Sequence, residues 1–481
     1  MNEFSAIKET ENEIVAIAAP SSKSLSHRYL IGAALAHGIS IIKNVLESAD
    51  TEMTRGILCE AGARMIPITG SGGNSADIIG WKIHGMEGKP QGGKETPLQC
   101  FVGESGTTCR LLTAILAAGN GLFRIFGCGR MHDRPIGALC SSLEKLGCKI
   151  EYEEKRGYPP FIINTDGLNP NLCDGYLQIG MEESSQYLSG LLLAAPLALT
   201  PVCIEVTGKK TVSWPYIGLT LQCLSDFGIK FRVEKRARLA EPWVILQGAN
   251  WKKLKEAKPG CLRIRIWPGN YIPGEFIVEG DWSQASYFLA AGALGKKPVK
   301  MKGLNLESLQ GDRAIVDILK KMGAKIEMSN DEITVYPSSL HGVSLDMGDC
   351  PDLVPTVAVL AAYAKGSTRI GNVAHLRLKE SDRIMAPIIE LSKTGVTIDA
   401  LSDGMLINGM GGLKGHFRNR PDCPRLPADI NLDSHNDHRI AMSLALLEMN
   451  DSSLSVQARL DDPGVVKKSC PQFWDLWSAL K

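Results

Sequence analysis

The chain has 481 residues, of which 44% are hydrophobic, and a formal net charge of +1 at pH 7. This length is too great for one ordinary hydrophobic core and predicts two domains, or three. Because the charge is balanced and no basic tail or long cationic run is present, we expect no nucleic-acid partner.

The cysteines and the start of the chain indicate where the protein works. Its 13 cysteines are odd in number, scattered in spacing and without a CxxC pair. This argues against a disulfide framework or a thiolate zinc site and favours a reducing compartment. The acidic start of the chain is unlike a signal peptide, and the apolar stretch 188–199 is too short to span a membrane. We therefore expect a cytoplasmic protein without a membrane partner.

Six segments are apolar around almost their whole circumference, which is typical of buried helices. Each has Ser, Thr, Asp or Asn at its first position or directly before it, and these residues often cap a helix N-terminus. In chain order the segments are 24–38, 107–119, 184–198, 282–294, 352–364 and 436–449.

A second repeated feature is a glycine between an amphipathic helix and a short β-type run. It occurs at Gly62, Gly147, Gly228, Gly323 and Gly395. A glycine there is a common left-handed helix cap, and its near-regular spacing predicts α/β units of roughly 70–90 residues. Together with the buried helices, this pattern predicts six units, three in each of two domains.

Two stretches interrupt this pattern with turn-forming residues. The first, 67–98, contains GSGGNS and KPQGGKET and is predicted to be a loop or a hairpin. The second, 410–430, is rich in Gly, Arg and Pro and is predicted to be a loop.

Long cationic side chains lie near the start of three predicted buried helices. They are Lys23, Arg28, Arg110 and Arg439. The helix dipole is positive at the N-terminus and disfavours a cation there, unless an anion binds in front of the helix. The pattern predicts several helix N-termini that face a shared anionic ligand. For any single residue of this set, a solvated surface charge is the alternative.

Ten segments, in order over nearly the whole chain, carry motifs that resemble one family of enzymes, the 5-enolpyruvylshikimate-3-phosphate synthases. The most informative are PSSKSLSHR, GESGTTCR, VEGDWSQASYFLAAGAL, LRLKESDRI and HNDHRIAMSLAL. The ten segments are 20–28, 103–110, 132–139, 184–198, 212–220, 278–294, 350–362, 376–384, 435–446 and 461–474.

The resemblance implies an α/β fold, which some schemes class as α+β. It is a two-domain inside-out α/β barrel with three βαβαββ units per domain around buried parallel helices. One domain would comprise residues 21–277, and the other residues 1–20 together with 278–481. The substrate cleft would lie between the domains and close on its ligands.

The implied reaction transfers the enolpyruvyl group of phosphoenolpyruvate to the 5-hydroxyl of shikimate 3-phosphate and releases phosphate. It proceeds by addition and elimination through a tetrahedral intermediate, on the route to chorismate and the aromatic amino acids. The family usually acts as a monomer and is the target of glyphosate. We expect no cofactor, because the sequence contains neither a dinucleotide fingerprint nor a Walker A motif.

The substrates are polyanions, so the implied binding residues include several cations that suit phosphate and carboxylate oxygens. By resemblance, phosphoenolpyruvate is bound by Lys23, Gly106, Arg134, Gln186, Arg383, Arg439 and Lys468. Shikimate 3-phosphate is bound by Ser24, Arg28, Ser184, Ser185, Gln186, Ser213, Tyr216, Asp352, His375 and Lys379.

The reaction needs a base near the hydroxyl and an acid near the methylene carbon. The resemblance makes Asp352 the base and Glu380 the acid, with Lys23 as a competing acid. From the residues alone, Asp352 could instead cap the following helix. Glu380, between Lys379 and Arg383, could instead form an ordinary helix ion pair.

Three positions depart from the family pattern. Glu104 replaces the usual Asn of the GNSGT motif, which puts an acid near a phosphate-binding loop and bears on donor affinity. His375 stands where the family has Asn or Glu, and Leu111 where some members have Pro. The differences at Glu104 and Leu111 lead to the hypothesis that glyphosate inhibits this protein less strongly.

Three other interpretations compete with this one. A related enzyme uses the same fold to transfer enolpyruvyl to UDP-N-acetylglucosamine, but its motif has Lys-Asn where this chain has Lys23-Ser24. An inactive relative could keep the anion-binding cleft without catalysis. A metal site at His435 and His438 is disfavoured because no third ligand is evident and Arg439 would repel a cation.

Overall fold

The computed structural model describes residues 14–70, 78–254, 256–329, 331–411, 429–449 and 457–480. Parts of both predicted loop stretches, 71–77 and 412–428, lie outside these residues. Within the first stretch, residues 64–69 and 78–84 form an antiparallel pair of strands, so the hairpin prediction is confirmed there.

The helices alternate between buried and surface positions along the chain. Within the described ranges, no helix is long and apolar enough to cross a membrane. The helices are α1 Lys23–Leu35, α2 Ala49–Glu60, α3 Gly106–Ala117, α4 Gly137–Lys145, α5 Gln186–Ala194, α6 Trp214–Asp226, α7 Trp282–Leu294, α8 Ile315–Lys321, α9 Val354–Tyr363, α10 Met385–Ser392, α11 His438–Leu444 and α12 Phe473–Ser478.

The strands are short and spread evenly along the chain. The first fourteen are β1 Val15–Ala18, β2 Ile39–Lys43, β3 Arg64–Thr69, β4 Ile78–His84, β5 Leu98–Phe101, β6 Gly121–Phe126, β7 Lys149–Tyr152, β8 Phe161–Thr165, β9 Tyr176–Met181, β10 Val202–Thr211, β11 Phe231–Lys235, β12 Val244–Ile245, β13 Leu262–Ile266 and β14 Glu275–Ile277. The others are β15 Val299–Lys302, β16 Lys325–Ser329, β17 Glu332–Tyr336, β18 Ser344–Asp346, β19 Lys365–Gly371, β20 Thr397–Leu401, β21 Gly404–Met410, β22 Asp429–Leu432 and β23 Gln457–Leu460.

The described strands form six sheets, which repeat one arrangement. In five of them a parallel pair is followed by antiparallel strands, and the sixth consists of the parallel pair β22–β23. The five orders are β14–β2–β4–β3, β5–β6–β8–β7, β9–β10–β13–β11–β12, β1–β15–β17–β16 and β18–β19–β21–β20. The predicted repeated α/β unit, and with it the mixed α/β fold class, is confirmed.

Two strands connect distant parts of the chain. Strand β1 pairs in parallel with β15, through Val15 beside Val299. Strand β14 pairs in parallel with β2, through Glu275 beside Ile41. Strand β1 therefore belongs to a sheet built mainly from the later part of the chain, and the chain crosses between its earlier and later sheets twice.

The hydrophobic core divides into two clusters that follow this division. One cluster contains buried residues from Leu25 to Val278. The other contains Ile17 and buried residues from Trp282 to Trp477. We call the parts that hold these clusters the first half and the second half of the molecule.

The six segments predicted to be buried helices correspond to α1, α3, α5, α7, α9 and α11. Their apolar residues are buried on nearly every side, as the sequence pattern predicts. Helix α9 begins later than predicted, because Pro351–Leu353 forms a separate 3-10 turn in front of it. The predicted glycine caps are confirmed: all five lie in the left-handed region, with Gly62 at φ +124° and Gly228 at φ +74°.

Candidate active site

A cleft between the two halves, partly open to solvent, contains about 640 Å³ of empty space and is lined by side chains from both. The starts of buried helices α1, α3 and α5 meet it from the first half, and those of α9 and α11 from the second half. Its lining residues are Lys23, Ser24, Thr107, Arg134, Glu183, Ser184, Ser185, Gln186, Ser213, Tyr216, Pro351, Asp352, His375, Lys379, Glu380, Arg383, His438 and Arg439.

Asp352 lies in the 3-10 turn before α9 and points into the cleft. Its Oδ1 accepts a hydrogen bond from Arg383 at 3.0 Å, and its Oδ2 accepts one from Arg439 at 2.7 Å. The Tyr216 hydroxyl, from the first half, also donates to Oδ2 at 2.9 Å. Helix α9 has no side-chain cap, so Asp352 serves the cleft and not the helix N-terminus.

The cations around Asp352 decide its charge. Burial opposes ionisation, but the charges of Arg439, Arg383 and Lys379 outweigh burial and lower the pKa of Asp352. In the empty cleft it is a carboxylate whose oxygens are held by charged donors. An anionic ligand that neutralised these cations would raise its basicity.

Glu380 joins the two halves at the same point. Its Oε2 accepts from Arg383 at 2.8 Å, and its Oε1 accepts from Arg134 of the first half at 3.3 Å. Burial raises its pKa, but Arg134 and Arg383 outweigh burial and hold the pKa well below the usual range. The pair with Arg383 forms at i,i+3 spacing but not within a helix, because α10 begins only at Met385. The bond to Arg134 adds a contact across the cleft.

Asp437 supports this arrangement from behind. It is fully buried, accepts from Arg383 Nε at 2.7 Å and Nη2 at 3.1 Å, and caps α11 through the backbone N–H of Arg439 at 2.9 Å. Sequence reasoning quoted the segment 435–446 without giving Asp437 a role. The available signal was an acid two positions before the predicted site residue Arg439.

Lys23 is held by two acids that sequence reasoning did not single out. Its ammonium lies 3.0 Å from Asp50 Oδ2, and both side chains are mostly buried. Its backbone N–H donates to Asp281 Oδ2 at 2.9 Å, and Asp281 caps α7 of the second half. No local pattern indicates these contacts, because they join residues 27 and 258 positions apart.

Gln186 and Ser213 bring neutral polar groups to the first-half wall. Gln186 donates to Thr107 Oγ1 at 2.9 Å and accepts from Arg110 at 3.1 Å. Ser213 has a left-handed backbone, φ +57°, and its N–H donates to the Gly348 carbonyl of the second half at 2.9 Å. The backbone bond brings α6, which carries Tyr216, against the second half.

Gly106 is the first residue of α3, and the guanidinium group of Arg134 lies close to its backbone. A Cβ atom at this position would lie 2.3 Å from Arg134 Nη2 and 2.9 Å from Arg110 Nη1. Only a residue without a side chain leaves both guanidinium groups in place.

Arg28 lies behind the residues that line the cleft. It is 1% exposed, does not line the cleft, and donates to Thr220, to Ser189 and to the carbonyls of Ser24 and Tyr216. Because these bonds tie α1 to α5 and α6, the guanidinium holds the wall of the cleft together from behind.

Three basic groups face the cleft without a hydrogen bond among the described residues. Lys379 has no ion pair there, and burial lowers its pKa to about 8. Both ring nitrogens of His375 and of His438 lack hydrogen bonds, although His438 Nδ1 lies 3.9 Å from Asp437 Oδ1. Burial lowers the pKa of His375 to about 3 and that of His438 well below its usual range. These groups are available to a polar ligand in the cleft.

Lys468 lies at the edge of the cleft and is engaged by neighbours. Its ammonium contacts Glu104 Oε2 of the first half at 2.5 Å. It also donates to the Asn436 carbonyl at 2.8 Å and to Asn436 Oδ1 at 3.1 Å. The Asn436 amide donates to both oxygens of Glu104 at 3.2 Å. The departure at Glu104 therefore places a carboxylate on a predicted donor-binding lysine.

The histidines considered for a metal have other surroundings. His435 Nε2 lies 3.0 Å from Glu390 Oε1, and His435 does not line the cleft. In the part of the chain that the structure describes, no group of three or more His, Cys, Asp or Glu residues is placed to hold a metal ion.

Solved structures share this fold. An EPSP synthase from Acinetobacter baumannii superposes with a TM-score of 0.69 at 23% identity, covering 97% of this chain and 96% of that chain. The enolpyruvyl transferase NikO from Streptomyces tendae superposes with a TM-score of 0.66 at 17% identity, covering 98% and 95%. The fold is that of the enolpyruvyl transferases.

Sequence comparison narrows this class. The family model described as EPSP synthase (3-phosphoshikimate 1-carboxyvinyltransferase) matches residues 8–252 and 255–477. The 3-phosphoshikimate 1-carboxyvinyltransferase of Nitrosomonas europaea is 36% identical over 465 residues, 96% of this chain and 95% of the relative. That of Aeromonas salmonicida is 35% identical over 456 residues, 95% and 94%. The chain belongs to the EPSP synthase family, and the UDP-sugar alternative is not favoured.

Proposed function

We propose that the protein transfers the enolpyruvyl group of phosphoenolpyruvate to the 5-hydroxyl of shikimate 3-phosphate and releases phosphate. The observation that carries this proposal is the position of Asp352. Its carboxylate lies in a cleft ringed by cations, between Arg383, Arg439 and the cross-cleft hydroxyl of Tyr216. The cleft thus combines an acceptor for the hydroxyl proton with charges for two anionic substrates.

In the addition step, the acceptor oxygen bonds to C2 of phosphoenolpyruvate and its proton passes to Asp352. The C2–C3 double bond takes up a proton at C3, which gives the tetrahedral intermediate. In the elimination step, C3 loses a proton, the double bond re-forms and the bond from C2 to the phosphate oxygen breaks. Arg134, Arg383 and Arg439 would stabilise the charge of the leaving phosphate.

Glu380 and Lys23 compete as the group that protonates C3. The arginines hold Glu380 ionised in the empty cleft, so it can donate a proton only after the donor phosphate neutralises them. Incorporation of deuterium into C3 in D₂O decides between the two. Loss of exchange in Glu380→Gln, but not in Lys23→Met, would assign the proton to Glu380, and the reverse result would assign it to Lys23.

We propose the same substrate contacts that the motifs imply, with one change of role. The cleft-lining members of both sets keep their binding roles, and Lys468 joins them from the edge of the cleft. Arg28 acts on shikimate 3-phosphate indirectly, through the carbonyl of Ser24.

The two halves of the molecule are proposed to be the domains 21–277 and 1–20 with 278–481. The separate core clusters and the pairing of β1 and β14 support these boundaries. We further propose a cytoplasmic monomer. The cysteines described by the structure are all unpaired, which supports a reducing compartment.

The decisive experiment measures phosphate release from phosphoenolpyruvate with and without shikimate 3-phosphate. We expect release only when both are present, and none when UDP-N-acetylglucosamine replaces the acceptor. Calorimetric binding of both ligands without phosphate release would instead identify an inactive relative.

A further inference from the structure

The bridge between Glu104, Asn436 and Lys468 crosses the cleft where an anionic donor is proposed to bind. Glu104 lies in the loop before α3, in the first half, while Asn436 and Lys468 belong to the second half. The side chains of Glu104 and Lys468 are 19% and 20% exposed, so water screens the pair only in part.

The bonding capacity of Lys468 is used up in this bridge. An ammonium group has three N–H donors, and the Lys468 ammonium has three acceptors: one oxygen of Glu104 and two of Asn436. A donor substrate therefore finds no free N–H on Lys468 while the bridge is intact.

The neighbouring guanidinium keeps Glu104 in place. Arg134 Nη1, which lines the cleft, donates to the Glu104 backbone carbonyl at 3.0 Å. The loop that carries the carboxylate is thus tied to a second cation of the proposed donor subsite. A donor anion on Arg134 would lie close to the Glu104 carboxylate and would repel it.

We infer that Glu104 is an internal competitor of the donor: its carboxylate pairs with Lys468 and must leave when phosphoenolpyruvate binds. This inference rests on the proposed function and adds to it a residue that sets donor affinity.

The test compares Glu104→Gln with the parent enzyme in initial rates of phosphate release. Glutamine keeps the size and one acceptor oxygen but removes the negative charge. We expect the KM for phosphoenolpyruvate to fall about tenfold, while the KM for shikimate 3-phosphate stays within about twofold. We expect the effect in KM and not in kcat, because the competition weakens donor binding equally in the ground state and in the transition state.

Two controls make the result specific. Glu153→Gln removes an exposed carboxylate that pairs with Arg124 within the first half, and should leave both KM values unchanged. In a Lys468→Gln background, the effect of Glu104→Gln on the donor KM should disappear, because the competed cation is gone. Glu104→Asn serves as a second variant if the glutamine protein folds poorly.

An unchanged or increased donor KM in Glu104→Gln and Glu104→Asn would overturn the inference, as would an equal gain in the Lys468→Gln background. Either result would leave the proposed function intact, provided that the parent enzyme still requires both substrates. If the parent enzyme releases no phosphate at all, the proposed function itself fails.

Discussion

The cleft contains two ionic groupings that differ in how they are built. The inner cluster, Asp352, Glu380, Arg383, Asp437 and Arg439, belongs entirely to the second half and surrounds a guanidinium that is 2% exposed. The outer bridge, Glu104, Asn436 and Lys468, joins the two halves and is partly exposed. The proposed catalytic carboxylates are thus held mainly by cations of their own half, whereas the outer bridge requires side chains of both halves.

The strongest test of this comparison changes the catalytic carboxylates. Asp352→Asn and Glu380→Gln keep the shape of the inner cluster but cannot accept or donate the proton. We expect kcat to fall by about 10³-fold, with less than about a tenfold change in substrate binding. Phosphate release gives kcat, and calorimetry gives binding. Losses confined to binding would show that these groups only hold substrate.

The next test asks whether the inner cluster holds itself together. Asp437→Asn leaves Arg383 with less charge to balance it in a buried position, so we expect unfolding free energy to fall by about 3 kcal/mol. Glu332→Gln, at a solvent-screened pair with Lys300, should leave the unfolding free energy nearly unchanged. Urea unfolding of both variants measures the difference, and equal costs would contradict the distinction between buried and exposed pairs.

A smaller change tests the first-half side of the donor site. In Gly106→Ala the new Cβ would lie 2.3 Å from Arg134 Nη2, so the guanidinium must move. We expect the donor KM to rise about tenfold, an effect of the size of one charged hydrogen bond. Gly56→Ala, where a Cβ meets no atom within 4 Å, is the matched control. Equal donor KM values in both variants would remove Gly106 and Arg134 from the donor site.

The smallest expected effect concerns Lys379, which lies beside the inner cluster without a partner of its own. Burial lowers its pKa to about 8, so its positive charge is present below that pH and lost above it. The KM for shikimate 3-phosphate should rise about threefold one pH unit above this value. Initial rates across this range check the profile. Lys379→Arg, which stays charged, should abolish the rise, and a persistent rise would assign it to another group.

Much of the fold was predictable because it repeats. The apolar helices and the glycines after them follow from local patterns, and the structure confirms both. The proposed site residues were reached through motifs, and the cleft collects most of them.

The exceptions are contacts between distant parts of the chain. Arg28 is predicted to bind shikimate 3-phosphate, and its contact with Thr220, 192 residues away, could not be predicted from a local pattern. Asp50 and Asp437 had no assigned role, because the ion pair that each carboxylate forms depends on which cation the fold brings next to it. A local pattern shows that a charge is present, but only tertiary structure shows its partner.

The pairing of β1 with β15 has a consequence for the order in which the protein can fold during synthesis. Strand β1 must wait for its partner β15, which is made about 280 residues later, and β2 must wait for β14. The first half can therefore complete its sheets only near residue 277, and β1 is still unpaired at that point. A chain that stalls between these two points carries an open sheet edge, which is a natural binding site for a chaperone.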